Sequence, residues 1–164
     1  MPEKLVILSD THFKESARLP EPLETAIDGA NLVVHAGDFV APEFYDSLLH
    51  RKPLLCALGN SDNAALRARI PEIGERVVQG HRIAVIHGWG AARDLLERIA
   101  QRIDCSRYSL VVFGHSHFPE IRSYAGTLFL NPGSPTEKRF SPHHTYAEVE
   151  VTGAGVGTPK IINL

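Results

Sequence analysis

Five short stretches of this sequence hold side chains that can bind and polarise: Asp10-Thr11-His12, Gly37-Asp38, Gly59-Asn60-Ser61-Asp62, His87-Gly88 and Gly114-His115-Ser116-His117. Asp10, His12, Asp38, Asn60, His87, His115 and His117 together offer carboxylate oxygen, amide oxygen and imidazole nitrogen. That mixture suits Mn, Fe, Zn or Ni better than Ca or Mg. The set contains no thiolate, which argues against a structural zinc site. It is also larger than one ion requires. A pair of ions about 3.5–4 Å apart, bridged by a carboxylate and a hydroxide, would use all of it. Gly37, Gly59, Gly88 and Gly114 let the backbone turn sharply beside these groups.

The elements that must position these residues are legible as periodic segments. Leu5–Leu8, Leu32–Val34 and Pro53–Leu58 are apolar runs of buried-strand type. They alternate with helical spacing over Pro22–Ala30 and Pro42–His50, which predicts parallel strands joined by right-handed crossovers. Arg76–Gln79 and Arg82–Ile86 read as a hairpin, Ala91–Ile103 as an amphipathic helix and Ser109–Phe113 as a buried strand. Two further hairpins are expected, Ile121–Tyr124 with Thr127–Leu130 and Thr145–Val151 with Val156–Ile162. A parallel first half would thus be followed by a mostly antiparallel second half, forming two sheets face to face with helices outside. Five of the apolar strands run into Asp, Asn or His at their C-terminal ends. Ligand crevices of open α/β sheets lie outside those ends, so the side chains are expected to converge.

The rest of the composition narrows the possibilities. The chain has 164 residues, 43% hydrophobic and 22% charged, which is ordinary globular composition and is read as a single domain over 1–164. The formal net charge of −2 supplies no basic excess for nucleic-acid or anionic-membrane binding. No apolar run reaches the length of a membrane span, and the first apolar run is too short for a signal-peptide core. Cys56 and Cys105 form no disulfide framework, so a reducing, cytoplasmic setting is expected.

The motifs Asp-x-His, Gly-Asp, Gly-Asn-x-Asp, His-Gly and Gly-His-x-His, in this order and each behind a strand, resemble the calcineurin-like metallophosphoesterase superfamily. Gly59-Asn60-Ser61-Asp62 and Asn131-Pro132-Gly133-Ser134 resemble its small bacterial and archaeal phosphodiesterase branch. The resemblance implies a four-layer α/β/β/α sandwich of two mixed sheets with helices on the outer faces. It implies Asp10, His12 and His117 on a first metal, Asp38 as the bridging carboxylate, and Asn60, His87 and His115 on a second. Asn60 and His87 would also stand near the phosphoryl oxygens, and Asn131 and Arg139 would border the site. The implied cofactors are two divalent ions, with Mn preferred and Fe, Ni or Zn as alternatives. The implied activity is hydrolysis of a small phosphoester, a phosphodiester in preference, by a hydroxide bridging the ions. A phosphomonoesterase on the same scaffold and a non-catalytic protein-binding scaffold are the alternatives. No nucleic-acid or membrane partner is expected, and the chain could form a homo-oligomer.

Position 61 departs from the pattern. Many superfamily members carry His there, and the closest branch often carries Cys. A serine has no accessible pKa for acid catalysis at neutral pH, so substrates with good leaving groups are expected. His35 is read as a packed or supporting histidine, and Asp62 as an orienting hydrogen-bond partner. His50, His81, His143 and His144 are read as surface residues, and Cys56 as packing. Trp89 could wall the site or cover a core edge.

Overall fold

The computed structural model describes residues 1–14 and 17–164. Its first sheet is built on β1 (Glu3–Leu8), β2 (Leu32–His35) and β3 (Leu54–Cys56), which pair in parallel. The helices α1 (Glu21–Asp28) and α2 (Pro42–Arg51) make the crossovers. Both begin with proline in the first turn, where its missing N–H costs nothing. A short helix, α3 (Ala64–Arg67), follows β3 and is capped by Asn63, whose side chain accepts the Leu66 N–H.

The second sheet begins with β4 (Ile73–Val78) and β5 (His81–Ile86), joined through Gln79 and Gly80 in left-handed conformation. Next come α4 (Leu95–Arg102) and β6 (Leu110–Phe113), then the hairpin of β7 (Glu120–Tyr124) and β8 (Thr127–Asn131). The chain then returns to the first sheet. There β9 (Thr145–Thr152) lies antiparallel to β1, with β10 (Gly155–Val156) and β11 (Lys160–Asn163) on its other edge.

Two-residue alternation along the strands creates three apolar layers. Leu5, Ile7, Leu32 and Val34 face Ile83, Val85, Leu110 and Val112 between the sheets. Val6, Leu8 and Val33 face outward onto Leu23, Ile27 and Leu48 of the first two helices. Ala84, Val111, Phe113 and Phe129 face outward onto Leu95, Leu96 and Ile99 of α4. The result is the α/β/β/α sandwich of two mixed sheets. Each fully buried Leu, Ile or Val contributes about 1.5–3 kcal/mol. A charge at Val34 would therefore part the layers directly beneath the strand ends.

The second half of the chain is mostly antiparallel, as expected: β4 pairs so with β5, β7 with β8, and β9 with β1, β10 and β11. Its parallel pairs, β5 with β6 and β6 with β8, lie inside a second sheet of order β4-β5-β6-β8-β7. The exposed β7 passes to the outer edge, which leaves β8 beside β6. Two expectations are corrected. The helix expected from Ala91 starts only at Leu95, because Arg98 binds the carbonyls of Trp89, Ala91 and Arg93 and holds that stretch as a loop. Asp94, at φ 56, turns the chain from that loop into the helix. Val156–Ile162 is not one strand. Pro159, which has no N–H, falls in the gap between β10 and β11. No helix among the described residues is long and apolar enough to cross a membrane.

Candidate metal centre

The loops that follow β1 and β2 stay paired beyond the strands. Asp10 N–H donates to Gly37 O at 2.9 Å, His12 N–H to Asp38 O at 3.0 Å and Phe13 N–H to Phe39 O at 3.0 Å. This pairing holds Asp10, His12 and Asp38 side by side at the C-terminal end of the first sheet. Asp10, His12, Asp38, His115 and His117 all have left-handed φ, between 45° and 72°. Residues with a Cβ adopt that conformation at a cost of about 1–2 kcal/mol each. Its concentration here is what an over-determined functional site shows.

Two glycines permit the close approach. A Cβ at Gly59 would strike the Asp38 carboxylate and amide, and one at Gly114 would strike the Ser9 hydroxyl and the Asp10 carboxylate. Asp62 is buried and accepts three backbone N–H groups. Its Oδ2 takes Asp38 N–H at 3.1 Å and Gly59 N–H at 2.8 Å, while Oδ1 takes Val40 N–H at 2.8 Å.

Each carboxylate commits one oxygen to the protein and aims the other inward. Asp10 Oδ2 accepts from the Ser9 hydroxyl at 2.6 Å and His115 N–H at 3.0 Å. Asp10 Oδ1 is buried with no hydrogen-bond donor, 3.3 Å from His117 Nε2, 3.8 Å from His87 Nε2 and 3.9 Å from His12 Nε2. Asp38 Oδ1 accepts Ser61 N–H at 2.7 Å. Its Oδ2 lies 3.3 Å from both His12 Nε2 and His87 Nε2.

The imidazoles are oriented from behind. His87 Nδ1 donates to Ala36 O at 2.7 Å, which turns Nε2 inward to within 2.9 Å of Asn60 Oδ1. His115 Nε2 donates to Gly90 O at 2.8 Å, which leaves Nδ1 at 3.2 Å from the same Asn60 oxygen. His12 and His117 bring their Nε2 atoms within 3.3 Å of each other. Backbone acceptors behind a ring fix its tautomer and free the other nitrogen for a metal.

The charges reflect this crowding. Burial alone would raise the Asp38 carboxyl, but the His87 imidazole, the Ser61 N–H and His12 hold it below the usual carboxylate range. Asp10 is held down in the same way, with His117 and His87 outweighing burial. Burial alone would lower His87, but Asp38 and Asp10 push it up to about 9. Two anions that lack a full complement of protein donors, ringed by imidazoles, fit divalent cations.

Two groups of potential ligands emerge, Asp10-His12-His117 and Asp10-Asp38-His87, and they share Asp10. Asp38 Oδ2, midway between His12 and His87, can bridge as well. Asn60 and His115 complete the His87 side through their contacts with each other. All seven residues expected from the sequence are therefore brought together.

Asn131 does not face the centre. Its Nδ2 donates to Gly114 O and the Ser116 hydroxyl, both at 3.0 Å, and so braces the His115 loop. Arg139 is exposed, and its side chain has no hydrogen bond or ion pair among the described residues. His35 is fully buried and stacked on Phe39 at 3.6 Å, with Nδ1 accepting Gly37 N–H at 3.1 Å and Nε2 beside the Thr11 hydroxyl at 3.1 Å. Burial pulls it down to about 3, so it is a neutral brace between the first two loops.

Sequence reasoning missed Ser9, Ser134 and Arg98. Ser134 Oγ donates to Asp10 O at 2.8 Å, and Asn131-Pro132-Gly133-Ser134 was the only signal for it. A cavity of about 860 Å³ lies apart beside Phe13, Leu19 and Phe44, and none of the seven residues lines it. A cavity of about 410 Å³ adjoins the centre at Asn60 and His87.

Parallel strands that deliver carboxylates and imidazoles from two packed sheets into one cleft define a metal-dependent hydrolase scaffold. Comparison with known proteins agrees: residues 4–154 match the calcineurin-like phosphoesterase superfamily domain, and the chain belongs to that family. A Methanothermobacter thermautotrophicus protein named "Probable metallophosphoesterase" is 31% identical over 140 residues, covering 82% of this chain and 78% of its own length. Vacuolar Protein Sorting 29 from Cryptosporidium parvum superposes with TM-score 0.77 at 19% identity, covering 99% of both chains. A novel archaeal phosphodiesterase superposes with TM-score 0.70 at 20% identity, over 98% of this chain and 99% of its own. These two likenesses establish the fold.

Proposed function

We propose that this protein hydrolyses small phosphodiesters, using two divalent ions held by Asp10, His12, Asp38, Asn60, His87, His115 and His117. The observation that carries the proposal is the inward pair of carboxylate oxygens, Asp10 Oδ1 without a donor and Asp38 Oδ2 between two imidazoles. A metal pair there, Mn in preference and Fe, Ni or Zn otherwise, would supply positive charge for phosphoryl oxygens and make a water acidic enough to attack.

The chain's own residues do the rest. Asn60 and His87 line the adjoining cavity, and the Asn60 amide N–H can receive a phosphoryl oxygen as its charge grows; His87 has no N–H to spare, with Nδ1 committed to Ala36 O and Nε2 turned to the metal side. Ser61 is exposed beside them, and its N–H is spent on Asp38. Its hydroxyl can hydrogen-bond but cannot act as an acid at neutral pH, so activated diesters are the favoured substrates. Homo-oligomer formation and a cytoplasmic setting belong to the same proposal.

The competing readings are a phosphomonoesterase and a protein-binding scaffold. With Mn²⁺ present, 4-nitrophenol release from bis(4-nitrophenyl) phosphate should exceed that from 4-nitrophenyl phosphate at least about tenfold in kcat/KM. A reversed ratio would make the protein a monoesterase. No release from either would favour the scaffold.

A further inference from the structure

The cavity beside Asn60 and His87 contains more than the centre requires. It runs between α3, the start of β4, the loop after β5 and the end of α4, and it is lined by Trp89, Arg67 and Arg102. Trp89 is the chain's only tryptophan and is 42% exposed. An indole is ordinarily buried, and this one sits on a loop whose backbone is held. The carbonyl of Trp89 accepts from Arg98 at 2.8 Å, and Arg98 also holds the carbonyls of Ala91 and Arg93. The same loop supplies Gly90 O to His115. The backbone of Trp89 is thus held on a braced loop two residues from His87.

Arg67 and Arg102 are exposed, and neither side chain has a hydrogen bond or ion pair among the described residues. Each lies in the last turn of its helix, where a cation suits the dipole wherever it points. The dipole does not explain why the two line one cavity, contiguous with a centre for phosphate esters. Glu72 is the carboxylate among the lining residues, and two guanidinium groups leave the cavity net positive. An exposed aromatic face on that loop, with two free guanidinium groups lining the same cavity, matches a planar ring and an anion.

We propose that this cavity binds one ester arm of the substrate and that the arm is nucleotide-like: a base stacked on Trp89 and a second phosphate paired with Arg67 and Arg102. The inference rests on the phosphodiester reading and names its substrate class. Ser61 cannot protonate a leaving oxygen, and a nucleoside alkoxide leaves poorly. The nucleotide arm is therefore the one retained on phosphorus, and the other arm departs.

Three probes with a common leaving group test this on Mn²⁺-loaded protein: methyl 4-nitrophenyl phosphate, thymidine 5′-(4-nitrophenyl phosphate) and the 3′-phosphate of the latter. In each, water oxygen bonds to phosphorus, the bond to 4-nitrophenolate breaks, and the water's proton passes to solvent. The base should raise kcat/KM about tenfold through KM, and the second phosphate should raise it about tenfold again. Within each variant, read as a ratio to its own methyl ester, Trp89→Ala should lose the first increment. The double variant Arg67→Ala/Arg102→Ala should lose the second. A flat series in the unaltered protein, or increments that survive in the variants, overturns the proposal. If no probe is hydrolysed, the phosphodiester reading itself fails and the cavity is judged by binding. Trp89 fluorescence should then be quenched saturably by thymidine 3′,5′-bisphosphate, and the double variant should need at least about tenfold more ligand. Absence of quenching, or equal affinity in the double variant, overturns the nucleotide subsite.

Discussion

Asp62→Asn probes how the centre is held rather than what fills it. The carboxylate serves three backbone donors with two oxygens, Oδ2 toward Asp38 and Gly59 and Oδ1 toward Val40. An amide has one oxygen. In its better orientation that oxygen keeps Asp38 and Gly59, while an NH₂ group confronts the Val40 N–H. An unsatisfied buried donor costs about 1–3 kcal/mol, and the two surviving bonds lose their charge assistance. The sum is about 2–4 kcal/mol. At about 2–4 °C per kcal/mol for a chain of this size, the Tm of metal-depleted protein should fall by roughly 10 °C. The loss is local, because Asp38 and Val40 sit at φ 61 and 70 and their strained loop depends on these bonds. A supporting group of this kind changes metal affinity by about 10–100-fold. Calorimetric titration of metal-depleted protein with Mn²⁺ should therefore show that weakening alongside the lower Tm. If Tm moved by less than about 1 °C and affinity were unchanged, Asp62 would not be what holds Asp38 in place, and the reasoning would fail.

Other expectations concern the ligands, position 61 and His35. His12→Ala and His87→Ala should each lower metal content by elemental analysis while circular dichroism stays native; two equivalents retained by both variants would break the two-ion assignment. Rates on aryl phosphodiesters should depend steeply on leaving-group pKa, and Ser61→His should flatten that slope, because an imidazole can donate the proton that a serine cannot. An unchanged shallow slope would mean that another group supplies the proton. His35 is held at about 3 in the fold against about 6.5 unfolded, so the unfolded state binds the extra proton. Its stabilising share is complete above about pH 6.5 and is lost as pH falls toward 3, amounting to about 2 kcal/mol by pH 5. His87, raised to about 9, acts in the opposite sense above pH 6.5 and leaves that acid window clear. The Tm of metal-depleted protein between pH 5 and 6.5 should fall with acid and do so less in His35→Gln; equal slopes would remove His35 as the cause.

Much of this was legible because buried strands and ligand residues leave different marks. Leu5–Leu8, Leu32–Val34 and Leu110–Phe113 are apolar runs that stop at polar residues, so both the layers and the convergence of Asp10, Asp38 and His115 could be read. What stayed hidden depends on contacts between distant segments. Nothing local in Arg98 says that it will collect the carbonyls of Trp89, Ala91 and Arg93 and delay the start of α4. Nothing in the β7–β8 hairpin says on which side of β6 it will settle. One sharing role was also hidden: the family resemblance implied Asp38 as the bridge, whereas the geometry brings Asp10 into both ligand groups.

If these strand ends form a two-ion centre that hydrolyses phosphodiesters, bis(4-nitrophenyl) phosphate hydrolysis by chelator-treated protein depends on the Mn²⁺ added back. Turnover should be absent at the start and rise until it levels off at two equivalents per chain. Full activity in chelator-treated protein, or none at any Mn²⁺ concentration, would contradict a two-ion phosphodiesterase centre.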